Sequence, residues 1–439
     1  MKRRVAVTGM GIVSPIGIGV HAFYNSLLNG LSGASRITKF DVSDPGYKSR
    51  VAAEVKDFKA KDYGLPRQLT RNCDLFAQYA LVAAQEAVKN SGLDLEKRTA
   101  DELKNPRLLS SKIQEHFEQG RRRGVVIGSG MGGVQTILEQ YERLKTGGPS
   151  RVSAFAVPKS MVSSASVALS LMYHGLNNYS GSNSHACGTG SFSIYQGYKL
   201  IIEGDADIVI TGSADALMIP LVFISFQNMG ALTTRYNDEP ERASRPFDKY
   251  RDGFLFSGEG AGVLVLEDME HARKRGANIL AEILGFGITT DGYHISAPEP
   301  DSFCSQKAIE YALDDAGISP EEIDLINPHG TSTPYNDKFE TLALKKALGE
   351  RASQIPVTAT KCLHGHMVGA TSSVEVIAGI LAMQNSVVFP NINYDNPDPE
   401  CDLNISKERR EGVQMRYMLK NATGFGGHNI AMVVGIPKE

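Results

Sequence analysis

The chain is short of the features that most readily announce a function. Its 439 residues include only five cysteines, Cys73, Cys187, Cys304, Cys362 and Cys401, widely spaced and without a CxxC pair. An odd, scattered set argues against a disulfide framework or a zinc knuckle and favours a reducing compartment. Most of the five are expected to be small buried apolar residues. Excess charge of one sign is also missing: the formal net charge is −3 with 22% charged residues. Neither nucleic acid nor an anionic membrane is therefore an expected partner. No apolar run has the length of a membrane span, so membrane insertion is not expected. Met1-Lys2-Arg3-Arg4 runs straight into Val5-Ala-Val-Thr-Gly9, without the apolar stretch and cleavage site of a signal peptide. A cytoplasmic location is expected, with the mature stromal or matrix form of an organellar protein as the other option. The phosphate-binding signatures are incomplete as well. Gly9-Met-Gly11 lacks a third glycine and meets Ser14-Pro15 instead of a helix; Gly128-Ser-Gly-Met-Gly-Gly133 is only a partial match; no Walker A lysine pattern occurs. No nucleotide cofactor is expected.

What the chain does have is apolar content and alternation. Hydrophobic residues make up 42% of it, enough for one large core or two ordinary ones. Short β-branched runs (5–8, 125–127, 208–211, 263–266, 279–284) alternate with stretches of helical periodicity near 70–90, 132–146, 188–203, 305–316, 337–348 and 370–385. Thr70 is the expected N-cap of the 70–90 helix and Gly92 its stop. This alternation predicts a layered α/β fold with covered sheets. The pattern also repeats. Val5-Ala-Val-Thr-Gly-Met-Gly-Ile12 parallels Ala281-Glu-Ile-Leu-Gly-Phe-Gly-Ile288, and Ala87-Val-Lys-Asn-Ser-Gly-Leu93 parallels Ala312-Leu-Asp-Asp-Ala-Gly-Ile318. A duplicated unit is expected, with halves 1–262 and 263–439 and insertions in the first. Residues 97–123 form one polar insertion ending in Arg121-Arg122-Arg123, expected to be a solvated surface helix or loop.

Four segments combine small residues with reactive ones. Ser184-His-Ala-Cys-Gly-Thr-Gly190 places Cys187 where a helix begins, so unpaired N–H groups there are expected to favour the thiolate. On these residues alone a buried structural cysteine is an equal reading. Asn327-Pro-His-Gly-Thr-Ser-Thr-Pro334 puts His329 at the carboxyl end of a strand, where α/β sheets build their sites. Thr360-Lys-Cys-Leu-His-Gly-His366 offers Lys361, His364 and His366 ahead of a helix containing Glu375. No carboxylate or second cysteine stands at a usual ligand spacing beside them, so no metal is expected. Gly424-Phe-Gly-Gly-His-Asn429 is a turn able to present a backbone N–H to a ligand.

Together these segments resemble the β-ketoacyl-ACP synthases, most closely the elongating type II group. The likeness spans nearly the whole chain and includes Ser244-Arg-Pro-Phe-Asp248, Arg251-Asp-Gly253 and Asn393 to Pro397. It implies a thiolase-like duplicated fold in five αβαβα layers, a homodimer, no cofactor, and acyl carrier protein as partner in its acyl- and malonyl-loaded forms. It implies decarboxylative condensation of a malonyl unit with an acyl chain held on Cys187, in fatty acid or related lipid or polyketide synthesis. In that scheme His329 and His366 face the malonyl thioester. Lys361 and Glu375 form the network that orients them. The N–H groups of Cys187 and Phe425 make an oxyanion hole, and Phe425 is a gate. Met131 and Ala156 fall where the family lines its acyl pocket, and Arg67, Arg71, Arg151 and Arg235 where carrier protein docks. The chain departs from the family at Ser153-Ala-Phe-Ala-Val-Pro158, which lacks two adjacent aromatics, at His185, where a small residue is usual, and at Gly188-Thr-Gly-Ser191. These departures leave a specialised lipid or polyketide pathway open. The alternative role is a non-catalytic or partner-dependent synthase subunit.

Overall fold

The computed structural model describes residues 3–109 and 112–437. The first strand, β1 (Val5–Ser14), is buried at every position. Its two glycines explain why a motif that looks nucleotide-like serves packing instead. A Cβ at Gly9 would lie 2.1 Å from the Ala87 carbonyl oxygen, and one at Gly11 would lie 1.9 Å from that of Ala83. Both carbonyls belong to α1 (Leu75–Ser91), which lies directly on the strand. The chain then forms β2 (Arg123–Gly128), α2 (Val134–Gly147), β3 (Tyr179–Gly181), α3 (Thr189–Ile202), β4 (Ile208–Ala216) and β5 (Glu259–Asp268). The same device recurs in β6 (Ala281–Thr290). There a Cβ at Gly285 would sit 2.4 Å from Ala316 N and one at Gly287 1.9 Å from the Ala308 oxygen, both in α4 (Phe303–Ala316). Gly92 and Gly317 end α1 and α4 with φ of 66° and 65°, left-handed positions that favour glycine.

After α4 come β7 (Leu325–Asn327), α5 (Pro334–Leu348), β8 (Pro356–Val357), α6 (Thr371–Gln384), β9 (Asn404–Ile405), β10 (Tyr417–Gly424) and β11 (His428–Gly435). Pairing repeats as the glycines do. In one half-sheet the order is β1-β5-β4-β2-β3, and in the other it is β6-β11-β10-β7-β8-β9. Corresponding neighbours are antiparallel, antiparallel, parallel and parallel in both halves. The half-sheets join through an antiparallel β1–β6 pairing, Val5 opposite Ile283. Between them lie α3 and α6, the latter buried from Thr371 to Met383. With α1 outside one half and α4 outside the other, the layers run helix, sheet, helix, sheet, helix, as a thiolase-like α/β fold requires.

Two expectations need correction, and the solvated surface helix expected within 97–123 is found. The cap of α1 is Asp74, not Thr70: its carboxylate accepts from Phe76 N at 3.4 Å and from Thr136 Oγ1 at 2.6 Å. Thr70 instead ends the short helix Arg67–Thr70. The expected boundary at 262/263 falls inside β5, because an antiparallel strand closing the first half has no turn signal in its interior. In the 97–123 insertion, exposed helices form at Ala100–Lys104 and Ile113–Gln119, while Arg123 opens β2 and Arg122 pairs with Asp207 at 2.5 Å. Ser110 and Ser111 of that insertion lie outside the described residues.

Candidate active site

The turn before α3 sets the position of Cys187. Ala186 has φ of 47°, a costly conformation for a residue with a Cβ. Thr189 holds the turn closed: its Oγ1 accepts from His185 N at 2.9 Å and donates to the Ala186 oxygen at 2.7 Å. The β10–β11 turn packs on it, since a Cβ at Gly424 would lie 2.8 Å from the His185 oxygen and 3.3 Å from Cys187 N. Only glycine allows that approach, and it brings the backbone of Phe425 up to the nucleophile turn.

The end of β7 delivers His329. Glu340 of α5 takes the His329 and Gly330 N–H groups at 2.6 and 2.7 Å, which fixes the loop. The loop after β8 carries Lys361 and His366. Val368 N–H donates to His366 Nδ1 at 3.2 Å, and Thr371 Oγ1 lies 2.9 Å from the same atom. An Nδ1 that accepts from an amide leaves the ring hydrogen on Nε2. Phe254 meets the His366 ring edge-on at 4.9 Å between centroids. Cys187 Sγ and one ring nitrogen each of His329 and His366 lie within 4.8 Å of one another. All three residues line a cavity of 330 Å³ with Phe254, Phe425 and Asn429. Sequence separates them by 142 and 37 residues; folding of the two halves onto each other unites them.

Burial governs the charges here. It pushes the Cys187 thiol up to about 12, with Lys361 pulling the other way. The expectation of a resting thiolate is thus overturned: the cost of burying an anion outweighs the helix terminus. Burial, then Lys361, holds His329 and His366 well below the usual histidine value, so both are neutral imidazoles. Their ring ¹⁵N resonances are expected not to titrate between about pH 8 and 6, because protonation waits for the depressed values. Titration of either ring near the model-peptide value of about 6.5 would contradict this.

Beneath the histidines lies a buried ionic group. Lys361 Nζ donates to Glu375 Oε1 at 2.6 Å and also to the His329 carbonyl oxygen. Lys420 Nζ donates to Glu375 Oε2 at 2.8 Å and to the Pro328 oxygen at 3.1 Å. Burial opposes ionisation of Glu375, yet Lys361 and Lys420 hold it below the usual glutamate range. Glu375→Gln strands two buried ammonium groups. It is expected to destabilise the fold by about 3–5 kcal/mol, read from urea unfolding. An unchanged unfolding midpoint would show that the network carries no such load.

Sequence reasoning missed Lys420 and Glu340. Lys420 left a signal: it interrupts the apolar run of β10, where every neighbour from Met418 to Ala422 is buried. Glu340 left none, since Asp337-Lys-Phe-Glu340 reads as a solvated helix start. His364, considered with His366 as a metal pair, faces away. Its Nδ1 lies 2.8 Å from the Gly365 oxygen and its Nε2 2.9 Å from Thr360 Oγ1. Cys187, His329 and His366 are the one set of possible metal ligands gathered among the described residues. The His366 tautomer turns a donor rather than a lone pair towards the other two.

The remaining expected residues do not line this cavity. Met131 is 44% exposed. Ala156 lies half-buried on the short helix Ala156–Ser160. Arg67, Arg71 and Arg151 are exposed and are not among the residues that line the cavity. Arg235 is exposed too, but its N–H donates to Asp252 at 3.2 Å, and Asp252 does line the cavity.

Comparison with known proteins agrees with the geometry. Residues 2–272 match the Beta-ketoacyl synthase, N-terminal domain, and residues 280–395 the Beta-ketoacyl synthase, C-terminal domain. The chain is 41% identical over 432 residues to 3-oxoacyl-[acyl-carrier-protein] synthase 2 of Staphylococcus aureus (strain COL), covering 98% of each. It is 40% identical over 433 residues to the protein of the same name from Synechocystis, covering 98% of this chain and 97% of that one. Among solved structures it is similar to the ketosynthase of the AntDE:AntF complex, a type II polyketide acyl carrier protein with its ketosynthase bound to the hexaketide. There the TM-score is 0.86, with 32% identity and full coverage of both chains. The ishigamide ketosynthase/chain length factor gives a TM-score of 0.84 with 33% identity, also over 100% of both chains. Matches to both domains, near-complete coverage and the three clustered side chains lead to one statement: the chain belongs to the β-ketoacyl synthase family and is an acyl-transferring condensing enzyme.

Proposed function

We propose that Cys187 carries the growing acyl chain and that His329 and His366 generate the nucleophile that extends it. The observation that carries this reading is the approach of one sulfur and two neutral imidazoles within 4.8 Å. In the first half-reaction the Cys187 sulfur attacks an acyl thioester on carrier protein. The acyl–sulfur bond to the carrier breaks, and the thiol proton ends on the released carrier sulfur. In the second, a malonyl thioester binds with its carbonyl oxygen against the His366 Nε2–H and a His329 N–H. Carbon dioxide leaves, and its bonding pair becomes the enolate, which these donors stabilise. Neutral rings suit the task, since a donor is needed and no proton has to be surrendered. The enolate carbon attacks the acyl-Cys187 carbonyl, whose oxygen faces the N–H groups of Cys187 and Phe425. Collapse expels the Cys187 sulfur, which takes up a proton from water to restore the thiol, and leaves the chain two carbons longer on the carrier.

Glu375, Lys361 and Lys420 position the His329 loop. Phe425, which meets Phe226 at 6.1 Å between centroids, is the gate. Arg235, beside the cavity rim, is our first choice for carrier contact, and Arg67, Arg71 and Arg151 are outlying choices. The division between halves falls between β5 and β6 rather than at 262. The location we assign is the cytoplasm, on the strength of the bacterial relatives.

A dimer completes the reading. Met131, Ile137, Tyr141, Leu144, Phe155 and Val157 are each exposed by 43% or more, and β3 leaves one edge of its half-sheet open. A surface of this kind calls for a covering partner, and Met131 and Ala156 then line the far end of the acyl pocket at the interface. Light scattering after size exclusion is expected to give a dimer of identical chains. A monomer that condenses at full rate would refute it. A chain inactive alone but active with a second subunit would favour the partner-dependent polyketide reading that the ketosynthase/chain length factor neighbour suggests. The function itself is tested by mass spectrometry of products from a panel of acyl-carrier thioesters with malonyl donor. The expected products are longer by two carbons. Recovery of unextended acyl groups with no carbon dioxide would reject it.

A further inference from the structure

One buried carboxylate outside this machinery touches both halves. Asp215, near the end of β4, has no exposed surface. Its Oδ1 accepts from Ser129 Oγ at 2.6 Å and from Gly130 N at 2.9 Å, with Gly130 N also 3.2 Å from Oδ2. The N–H groups of Met131 and Gly369 donate to it as well. Three of these donors come from the loop after β2. The fourth comes from the turn just past His366. The approach is closer than any side chain would allow: a Cβ at Gly369 would lie 2.6 Å from Gly130 N and 2.7 Å from Asp215 Oδ2.

That turn has a cost to meet. Val368 adopts φ of 54°, a left-handed conformation unfavourable for a β-branched residue. Its N–H is nevertheless the donor that sets the His366 tautomer. Something must hold Val368 there, and the Gly369 N–H on Asp215 is the adjacent anchor.

We propose that Asp215 is a positioning residue for His366, locking the strained Val368 turn so that Nε2 keeps its hydrogen and tying that turn to the Met131 loop. The proposal rests on the role given above to His366. Burial raises Asp215 to about 7, while the four donors turned on its oxygens pull it back towards the ionised form; the site is shaped for a carboxylate because all its partners are donors. An asparagine would turn its own NH₂ towards one of these N–H groups and lose that bond.

The test compares wild-type protein with Asp215→Asn, Ser129→Ala and His366→Ala. Cys187 self-acylation is read by intact mass, malonyl-thioester decarboxylation by carbon dioxide release, and the His366 tautomer by imidazole ¹⁵N shifts. Asp215→Asn is expected to keep self-acylation within about twofold and to lose decarboxylation by about 10–100-fold, the scale of a misplaced catalytic group. Its His366 Nδ1 shift should move away from the hydrogen-bonded acceptor value. Ser129→Ala should move all three readouts less, in the same directions, and it carries the test if Asp215→Asn does not fold. Equal losses of acylation and decarboxylation, or an unmoved His366 shift, would overturn the proposal. So would full decarboxylation in Asp215→Asn and Ser129→Ala where His366→Ala has lost it. Full decarboxylation in His366→Ala would instead sink the functional reading on which the proposal stands.

Discussion

Cys187→Ala is expected to abolish both self-acylation and condensation while leaving the fold intact. The side chain is small, and its removal leaves a gap of one sulfur in a cavity already 330 Å³ in volume, so little packing is lost. What is lost is the only atom there able to form a thioester. Covalent catalysis splits the reaction at that atom, so no bypass retains partial turnover. Incubation with acyl-carrier thioester should add the acyl mass to wild-type protein and none to the variant. A stoichiometric adduct on Cys187→Ala would rule out this cysteine as the carrier. The protonated resting thiol adds a second feature. With burial holding Cys187 near 12, alkylation of the free enzyme should rise steadily as pH rises through the neutral range.

The second large effect separates the half-reactions. His329→Ala is expected to lower malonyl decarboxylation by about 10²–10³-fold, the usual loss when one oxyanion donor is removed. Self-acylation should fall far less, because Cys187 reaches its thioester without that ring. Measuring carbon dioxide release beside the acyl adduct on one preparation gives the ratio directly. Equal losses in both would mean that His329 supports the cavity as a whole and does not stabilise the enolate. The Lys361 contact to the His329 carbonyl makes a control possible. Disturbing the lysine should move both readouts through the loop, whereas removing the ring should move one.

Much of this was legible in the residues. The glycine pairs in Gly9-Met-Gly11 and Gly285-Phe-Gly287 mark two strands that accept a helix at backbone contact, so the duplication could be read before any pairing was known. Cys187, His329 and His366 stood out because small turn formers surround each, and chemistry at a strand or helix terminus needs exposed backbone; the residues alone left Cys187 equally readable as a structural cysteine, and the family resemblance chose between the readings. Other features were hidden for definite reasons. The start of α1 was misplaced by four residues because Thr70 and Asp74 are both competent caps, and only the tertiary bond to Thr136 selects Asp74. Lys420 meets Glu375 45 residues away, and Glu340 folds back on the loop 11 residues before it, so helical or strand spacing could not pair either with its partner. The thiol was misjudged because a helix terminus is a local signal, whereas burial is a property of the assembled halves. Met131 and Ala156 cannot be matched to the cavity within one chain, since the surface that carries them faces outward.

The most direct test is a single-turnover experiment on protein already acylated at Cys187. One equivalent of malonyl-carrier thioester is added, and the protein, the carrier and the released carbon dioxide are followed together. The expected result is loss of the acyl mass from Cys187, one equivalent of carbon dioxide, and a 3-oxoacyl chain two carbons longer on the carrier, all at one rate. Carbon dioxide released at that rate while the acyl group stays on Cys187 would contradict the account. It would mean that the sulfur and the two imidazoles do not share one bound substrate.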